Sequence, residues 1–400
     1  MAVTLPHRPH PLARSPRVER VNGWLESSWR KGWSSYPSLD PGDLWEKALR
    51  SAPASGEFGG RSEEDAADFR ARLAILCQSL EAEARLNPLG RTCAHGQLVR
   101  IIRQRLHLGA LWQRQPHLLK TQIAPPIIVV GQMRSGTTRV HRLLAADPAH
   151  ASTRFCDSWN PLPRHPDLRP LWSGLSLALA RWLNPWLDTI HPFGTTRADE
   201  ELGWLAAALN HCAYEAQWRI PAFSHFSEGR DTAPVYREFA RLFRTDSAFH
   251  RNTHRPRVMK VPQFAEDLPA LLAQFPDARL VFTSRGDDEV ANSSVSLLAN
   301  QMAMQSDAVD LDWIKSEAAR KIALRSNRMS DALRRIGGPV AHVDFSELDC
   351  DWQGVVCRIY NALDLAFTTE AKTAMAHEMQ SSAVEAHHQH RPTCQKFAEA

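Results

Sequence analysis

Residues 129–141 read VVGQMRSGTTRVH, and they close an apolar run before a helix-like segment begins. Gly131 and Gly136 have the spacing of a phosphate-binding loop between a buried strand and a helix. Loops that bind nucleoside triphosphates place a lysine before the final hydroxyl, but Thr137 stands there in this chain. Arg134 is the one cation inside the loop, and its planar fork suits a tetrahedral anion. The stretch predicts an anion site at a helix N-terminus that lacks the cation aimed at the outer phosphates of ATP.

The same loop lies in a region where short apolar runs alternate with helical stretches. This rhythm predicts an α/β fold, a parallel sheet with helices on both faces. Ligands bind beyond the carboxyl ends of such strands, so the loop, Lys260 and Arg285 are expected to converge. The four predicted strands cover residues 127–130, 257–261, 279–283 and 339–345.

The bulk properties fit a globular protein with a small anionic ligand. The chain has 400 residues, a net charge of +4 and a pI near 8.7, which is too mild a basic balance for nucleic-acid wrapping. The seven cysteines contain no Cys-x-x-Cys pair, so a reducing, cytoplasmic location is expected. The segment 171–187 is the most apolar, but Arg181 and Pro185 interrupt it, and no transmembrane segment is predicted.

The sequence also predicts how the chain is divided. The leader is rich in Pro, Ser, Gly and Trp and is expected to be only partly ordered, whereas the next region has helical periodicity. The His-rich tail is expected to be flexible. The predicted parts are the leader 1–60, the helical N-terminal region 61–122, the α/β domain 123–380 with a helical insertion at 150–250, and the tail 381–400.

Arg-Ser-Gly-Thr-Thr and the following His-Arg-Leu-Leu-Ala-Ala-Asp-Pro, 141–148, together resemble a known phosphate loop. The segment is similar to the 5′-phosphosulfate loop of sulfotransferases that use 3′-phosphoadenosine-5′-phosphosulfate (PAPS), especially the bacterial group related to tyrosylprotein sulfotransferases. The resemblance implies a P-loop-type fold and a loop that grips the 5′-phosphate, with Arg134 at the bridging oxygen. The implied donor-binding residues of the loop are Gly131, Arg134, Ser135, Gly136, Thr137 and Thr138.

The resemblance implies a second phosphate site at the end of another strand. Arg285 closes the strand at 279–283, and Ser293 follows eight residues later, as in the family. The family often has Arg-Asp-Pro where this chain has Arg-Gly-Asp-Asp. Asp287 and Asp288 can cap the next helix, but they also bring negative charge that would weaken donor binding.

The transfer step needs cations and a base. RVMKVPQF resembles the family's strand-end lysine segment, which implies that Lys260 faces the sulfuryl group, although Val261 replaces a small polar residue. Because the leaving group is a phosphate, no metal is required in principle. The base remains open between Asp157 and the pair Glu200 and Glu201. Each has a simpler interpretation, as a loop aspartate and as first-turn acids of a helix. His141 lies one turn into the loop helix, where a structural role is favoured.

The acceptor site is expected in the insertion, which holds six of the 13 tryptophans. An apolar or aromatic small molecule with a hydroxyl is mildly favoured. A tryptophan-rich helical core explains the same composition, and a membrane or subunit interface at 171–187 remains open.

Two alternatives compete with sulfuryl transfer. A P-loop kinase or NTPase would need a magnesium-binding aspartate, for which only Asp344 qualifies. A non-catalytic nucleotide-binding relative would explain Gly286 and Val261. The acceptor, the base and the oligomeric state are not determined by the sequence.

Overall fold

The chain is described here by a computed structural model. It covers residues 8, 10 and 12–383, apart from the side chains of Ile190, Asp287, Asp288, Glu289, Asp349, Ser382 and Ala383. Most of the predicted tail, residues 384–400, lies outside the described residues.

A five-stranded parallel sheet organises the chain. Its strands are β1 Ile127–Gly131, β2 Ala151–Ser152, β3 Arg257–Lys260, β4 Arg279–Ser284 and β5 Val340–Asp344. Their order across the sheet is β2-β3-β1-β4-β5, and every pairing is parallel. The predicted α/β class and its four strands are confirmed. The two-residue β2 was not predicted because it lacks an apolar run.

The central strand β1 is apolar throughout because both of its faces are buried. Ile128 and Val130 lie in one core cluster, whereas Ile127 and Val129 lie in a cluster on the other face. The helices of the α/β region are α5 Thr137–Ala146, α12 Phe264–Gln274, α13 Asp287–Gln305, α14 Leu311–Leu333, α15 Phe345–Cys350, α16 Trp352–Ala362 and α17 Thr369–Ala383. Helices on both faces leave the carboxyl edge of the sheet as the place for a ligand.

The N-terminal region is helical from an earlier residue than the sequence predicts. Its helices are α1 Pro16–Arg30, α2 Pro41–Leu49, α3 Glu63–Ala82 and α4 Pro88–Arg114. Ser15 and Asp40 cap α1 and α2 directly before a proline, so the prolines of the leader start helices. Asn87 accepts a hydrogen bond from the N–H of Gly90 and caps α4, again directly before a proline.

Residues 150–250 are mainly helical. Its helices are α6 Phe155–Trp159, α7 Arg169–Leu183, α8 Leu187–Ile190, α9 Leu202–Ala207, α10 Pro221–Glu228 and α11 Ala233–Phe249. Trp204 and Trp218 are fully buried, whereas Trp172 and Trp182 are exposed. The tryptophans therefore serve two purposes, a core and a surface. None of the helices in the described part of the chain is both long and apolar enough to span a bilayer.

The strand order switches at β1, because β2 and β3 lie on one side of it and β4 and β5 lie on the other. This switch places the predicted site residues together. β3 and β4 flank β1 on opposite sides, and Val129 pairs with Lys260 while Gly131 pairs with Thr283. The loop after β1, the end of β3 and the end of β4 therefore meet at one edge of the sheet. Such a switch point is where open α/β sheets bind ligands.

Candidate active site

The loop after β1 has no room for side chains at its two glycines. A Cβ on Gly131 would lie 2.2 Å from Thr283 Oγ1, and a Cβ on Gly136 would lie 2.0 Å from the ring of Phe345. Gly136 also has φ +86°, a left-handed conformation that favours glycine. The backbone of the loop is therefore held close to its neighbours, and α5 begins directly after it at Thr137. Its first N–H groups have no intrahelical acceptor and point toward the loop.

Ser135 fixes the loop to the adjacent strand. Its hydroxyl donates to Gln132 O at 2.7 Å and lies 3.0 Å from Thr283 Oγ1 on β4. Gln132 in turn donates to Ile322 O and Ser326 Oγ on α14. Thr137 is buried and Thr138 is half-buried at the start of α5. The loop is thus held from two sides, by β4 and by α14.

Arg134 connects the two predicted phosphate sites. Its φ of +71° is in the left-handed region, and its Nε donates to Ser293 Oγ on α13 at 2.7 Å. Arg285 donates to the carbonyl of Arg134 at 3.1 Å. The sequence predicts two separate cradles, and the structure places members of both in direct contact. Three predicted donor-binding residues therefore form one polar group at the sheet edge.

Phe345 is a site residue that the sequence did not indicate. Its ring lies against Gly136, and the guanidinium of Arg285 stacks over it at 4.6 Å. The side chain thereby positions both the loop and the strand-end arginine. Phe345 is the last residue of the fourth predicted strand, and its pattern gave no hint of this role, because only the packing of β5 against β4 brings it near the loop.

Lys260 forms an ion pair with one of the candidate bases. Its Nζ lies 3.0 Å from Glu200 Oε2, and its backbone N–H donates to Glu201 Oε2 at 3.0 Å. The lysine side chain is 4% exposed and the Glu200 side chain 19% exposed. Helix α9 begins after both acids, so they are not its first-turn residues. Glu201 is the N-cap residue of α9 but makes no side-chain cap bond, and both carboxylates instead contact Lys260 at the end of β3.

The Glu201 side chain is fully buried, whereas the Glu200 side chain is partly exposed. Burial raises its pKa to about 7, although hydrogen bonds and the charge of Arg257 oppose the rise. Beside it, His141 is also buried, and burial together with the charge of Lys260 lowers its pKa to about 3. His141 therefore stays neutral near neutral pH, as expected for a structural histidine.

The stability of the fold is expected to depend on Glu201. Its pKa in the fold exceeds the usual value of 4.5, so its contribution is fully present below pH 4.5 and is lost as the pH rises through 7. The gap corresponds to roughly 3 kcal/mol. Urea unfolding of the wild type should therefore lose about that much free energy relative to Glu201→Gln between pH 4.5 and pH 8. Parallel pH profiles for the two proteins would contradict the assignment.

Asp157 does not have the surroundings of a general base. It is 1% exposed, and its carboxylate lies 2.6 Å from Arg154, 3.0 Å from Arg169 and 3.1 Å from His250. Burial alone would raise its pKa, but the hydrogen bonds from His250 and Arg154 and the charge of Arg169 hold the pKa well below its usual range. A carboxylate stabilised so strongly is a poor proton acceptor. The structure therefore corrects this candidate to a structural ion-pair centre.

Replacing Asp157 by asparagine should affect folding and leave the pH dependence of turnover unchanged. The change removes a charge from three buried or half-buried cations, and loss of one partner in such a buried pair costs about 3 kcal/mol. We expect a lower free energy of unfolding in urea and an unaltered pH profile of kcat in the folded protein. A profile that loses its acidic limb in this variant would restore Asp157 as the base.

A cavity of about 520 Å³, including space open to solvent, lies beside the loop between α13 and α14. Its lining is mainly apolar and includes Met133, Trp218, Leu298, Met302 and Trp313. Met133 directly precedes Arg134, and lining residue Ser294 directly follows Ser293. The cavity meets the loop at Gln132 and Met133, without Arg134 or Ser293 in its lining, and only part of its wall comes from the insertion where the acceptor was expected.

One group near the site has the donor atoms of a cation site. His191, Asp199 and Glu200 each offer a ligand atom within 4.8 Å of the others. Burial would raise the pKa of Asp199, but His191 and Lys260 lower it to about 2. The ammonium of Lys260 lies against Glu200 and already supplies positive charge to this group.

The kinase or NTPase alternative needs an aspartate that binds magnesium, and the geometry around Asp344 does not support it. Asp344 lies at the end of β5, which is separated from β1 by β4. Its carboxylate caps α15 by accepting from the N–H and hydroxyl of Ser346. The strands that flank the loop end in Lys260 and Arg285 instead. The loop is thus surrounded by cations, which favours an anionic ligand.

A five-stranded parallel sheet flanked by helices, with a glycine-containing loop after its central strand, defines an α/β protein. A family model described as the sulfotransferase family matches residues 125–369. The match covers more than half of the chain, and the protein belongs to the sulfotransferase family. Family and fold together support sulfuryl transfer. Comparison with curated proteins finds no match.

Two solved structures share the fold. Sulfotransferase STF1 from Mycobacterium tuberculosis H37Rv has a TM-score of 0.75 at 24% identity, over 92% of this chain and 100% of that chain. Sulfotransferase STF9 from Mycobacterium avium has a TM-score of 0.74 at 21% identity, over 85% of this chain and 87% of that chain. At these identities the similarity shows the fold alone, and a relation to tyrosylprotein sulfotransferases stays a prediction.

Proposed function

We propose that this protein transfers a sulfuryl group from PAPS to a hydroxyl of a small-molecule acceptor. The observation that carries the proposal is the contact of Arg134 with Ser293, at the N-terminus of α5 and beside Arg285. A donor with a phosphate at each end needs cations and hydroxyls from two strands, and this edge supplies them. The steric closeness around Gly131 and Gly136 fits a backbone that must approach an oxyanion.

In the proposed reaction the chain positions and neutralises the reacting groups. Arg134 stabilises the 5′-phosphate oxygen as its bond to sulfur breaks, and Lys260 stabilises charge on the sulfuryl oxygens. The acceptor oxygen forms the new bond to sulfur from the opposite side. Glu200 takes the hydroxyl proton, because its carboxylate is partly exposed and lies next to Lys260. Adenosine 3′,5′-bisphosphate (PAP) and a sulfate ester are the products, and no step requires a metal.

Glu201 and Phe345 support this arrangement without meeting the acceptor. Glu201 accepts the N–H of Lys260 and fixes the end of β3. Phe345 fixes the loop and Arg285. The apolar cavity beside Met133 supports an acceptor with an apolar or aromatic body. A cytoplasmic location stays a prediction, consistent with the free thiols of the six described cysteines.

Product formation tests the proposal directly. The protein is incubated with PAPS and a panel of phenols and aliphatic alcohols, and PAP and sulfate esters are measured by mass spectrometry. We expect stoichiometric PAP and ester with at least one acceptor and loss of both in Glu200→Gln. If PAP binds to the protein but is not formed from PAPS with any acceptor tested, the result would favour the non-catalytic relative.

A further inference from the structure

Helix α7 turns an apolar face toward solvent. Six large apolar side chains, each between 43% and 58% exposed, lie on it or at its N-cap. At 3.6 residues per turn they fall within an arc of roughly 100°. They are Leu168, Leu171, Trp172, Leu175, Leu179 and Trp182, defined here as the α7 face.

The inner side of the same helix is the more polar one. Arg169 forms ion pairs with Asp157 and Asp167 there, and Ser173 accepts a hydrogen bond from Asn160. Leu177 and Leu183 are buried on the same side, but the larger apolar surface of α7 faces solvent. Within the described part of the chain the α7 face stays uncovered, and a contiguous exposed apolar surface of this kind marks an interaction site.

The charges around the α7 face identify the partner. Residues 168–187 contain no Asp or Glu, but Asp167 and Asp188 flank them and pair with Arg169 and Arg181. The adjacent helix α1 adds the exposed Trp24 and Arg20. Arg17 on α1 stacks over the Trp182 ring at 5.5 Å and donates to Trp182 O at 2.8 Å. Tryptophans and arginines flanking a leucine face are typical of helices at anionic lipid surfaces. On α1, Glu19 pairs with Arg14 and Glu26 pairs with Arg30, so Arg17 and Arg20 are the cations that this helix offers to an anionic surface.

We propose that the α7 face binds an anionic lipid bilayer, with α7 lying in the plane of the interface. Trp172 and Trp182 are ten residues apart, which spaces them about 15 Å along the helix at the headgroup level. α7 also supports the segment that leads to Glu200, since Arg181 donates to Phe193 O at 2.8 Å. The lipid surface would therefore lie next to the candidate active site. The proposal goes beyond the proposed function, and its test does not use activity.

Vesicle co-sedimentation of the full-length protein tests the proposal. The vesicles contain phosphatidylcholine alone or phosphatidylcholine with phosphatidylglycerol, at low and high salt. We expect binding that requires the anionic lipid, weakens with salt and falls at least about tenfold in the double variant Leu175→Ser/Leu179→Ser. Phe58→Ser is the matched control, because Phe58 is 54% exposed on a different surface. Circular dichroism and Tm confirm that each variant is folded.

Three outcomes would overturn the proposal. The first is a wild type that does not sediment with anionic vesicles. The second is a double variant that binds as tightly as the Phe58→Ser control. The third is light scattering that shows a dimer for the wild type and a monomer for the double variant, which would assign the α7 face to a second copy of the chain.

Discussion

Replacing Lys260 by methionine is expected to reduce sulfuryl transfer by roughly 10²–10³-fold, the usual effect of removing one preorganised donor from a transition state. Methionine keeps the apolar stem of the side chain and removes the ammonium group. The loss should appear in kcat, because the proposed role of Lys260 is to neutralise charge that develops while the sulfuryl group moves from the phosphate oxygen to the acceptor oxygen. Binding of PAP should change little, since the lysine lies at the end of β3 and not in the loop.

Lys372→Met provides the matched control. Lys372 is exposed on α17, so the same substitution there removes a charge without touching the sheet edge. Steady-state turnover of both variants, with far-UV circular dichroism as a test of folding, separates a role in the reaction from a general effect of charge. Wild-type kcat in a folded Lys260→Met protein would exclude the proposed role of Lys260.

Replacing Arg134 by alanine is expected to remove both donor binding and turnover. The side chain donates to Ser293 and its backbone carbonyl accepts from Arg285, so it connects the two phosphate sites. We expect kcat/KM to fall by about 10³-fold or more, because a charge-assisted contact at the breaking bond and part of the donor site are lost together. Arg134→Lys should recover only part of this, since an ammonium group lacks the planar fork.

Calorimetric titration with PAP separates the two effects in the Arg134 variants. We expect weaker PAP binding in Arg134→Ala than in Arg134→Lys, and the same order in turnover. Ser293→Ala should weaken PAP binding while retaining more activity, because the serine is expected at the distant phosphate. Equal PAP affinity in the wild type and in Arg134→Ala would show that the loop does not hold the donor.

The fold was predictable where local pattern and buried environment agree. The central strand β1 is a continuous apolar run because both of its faces are covered, whereas the edge strand β5 alternates buried and exposed residues. Strand order then follows from the parallel alternation, which brings Lys260 and Arg285 to the loop. Element starts were less predictable, since Ser15, Asp40 and Asn87 cap helices directly before prolines that also suit loops.

The choice of base could not be made from the sequence, because contacts between distant segments decide it. Asp157 and Glu200 are both plausible acids beside helical segments. Only the structure shows that Arg169 and His250 engage the first and that Lys260 engages the second. The contact of Phe345 with the loop is of the same kind. Residues about 200 positions apart share no local pattern that predicts such a meeting.

The exposed leucines of α7 show a further limit of prediction from the sequence. The sequence of 171–187 is compatible with a core helix, an acceptor lid or an interface, because periodicity gives an apolar face but not its direction. Polar contacts of Arg169 and Ser173 decide which side faces the protein. The direction of that face, and not its composition, motivates the lipid-binding proposal.

Thermal unfolding with PAP and with ATP tests the central claim most directly. Because the loop has Arg134 and no lysine in the position before its final hydroxyl, PAP should stabilise the protein by roughly 3 kcal/mol at a hundredfold excess over its Kd, raising Tm by several degrees. ATP with magnesium should leave Tm nearly unchanged. Stabilisation by ATP alone, with no response to PAP, would contradict the assignment of this loop to a sulfuryl donor.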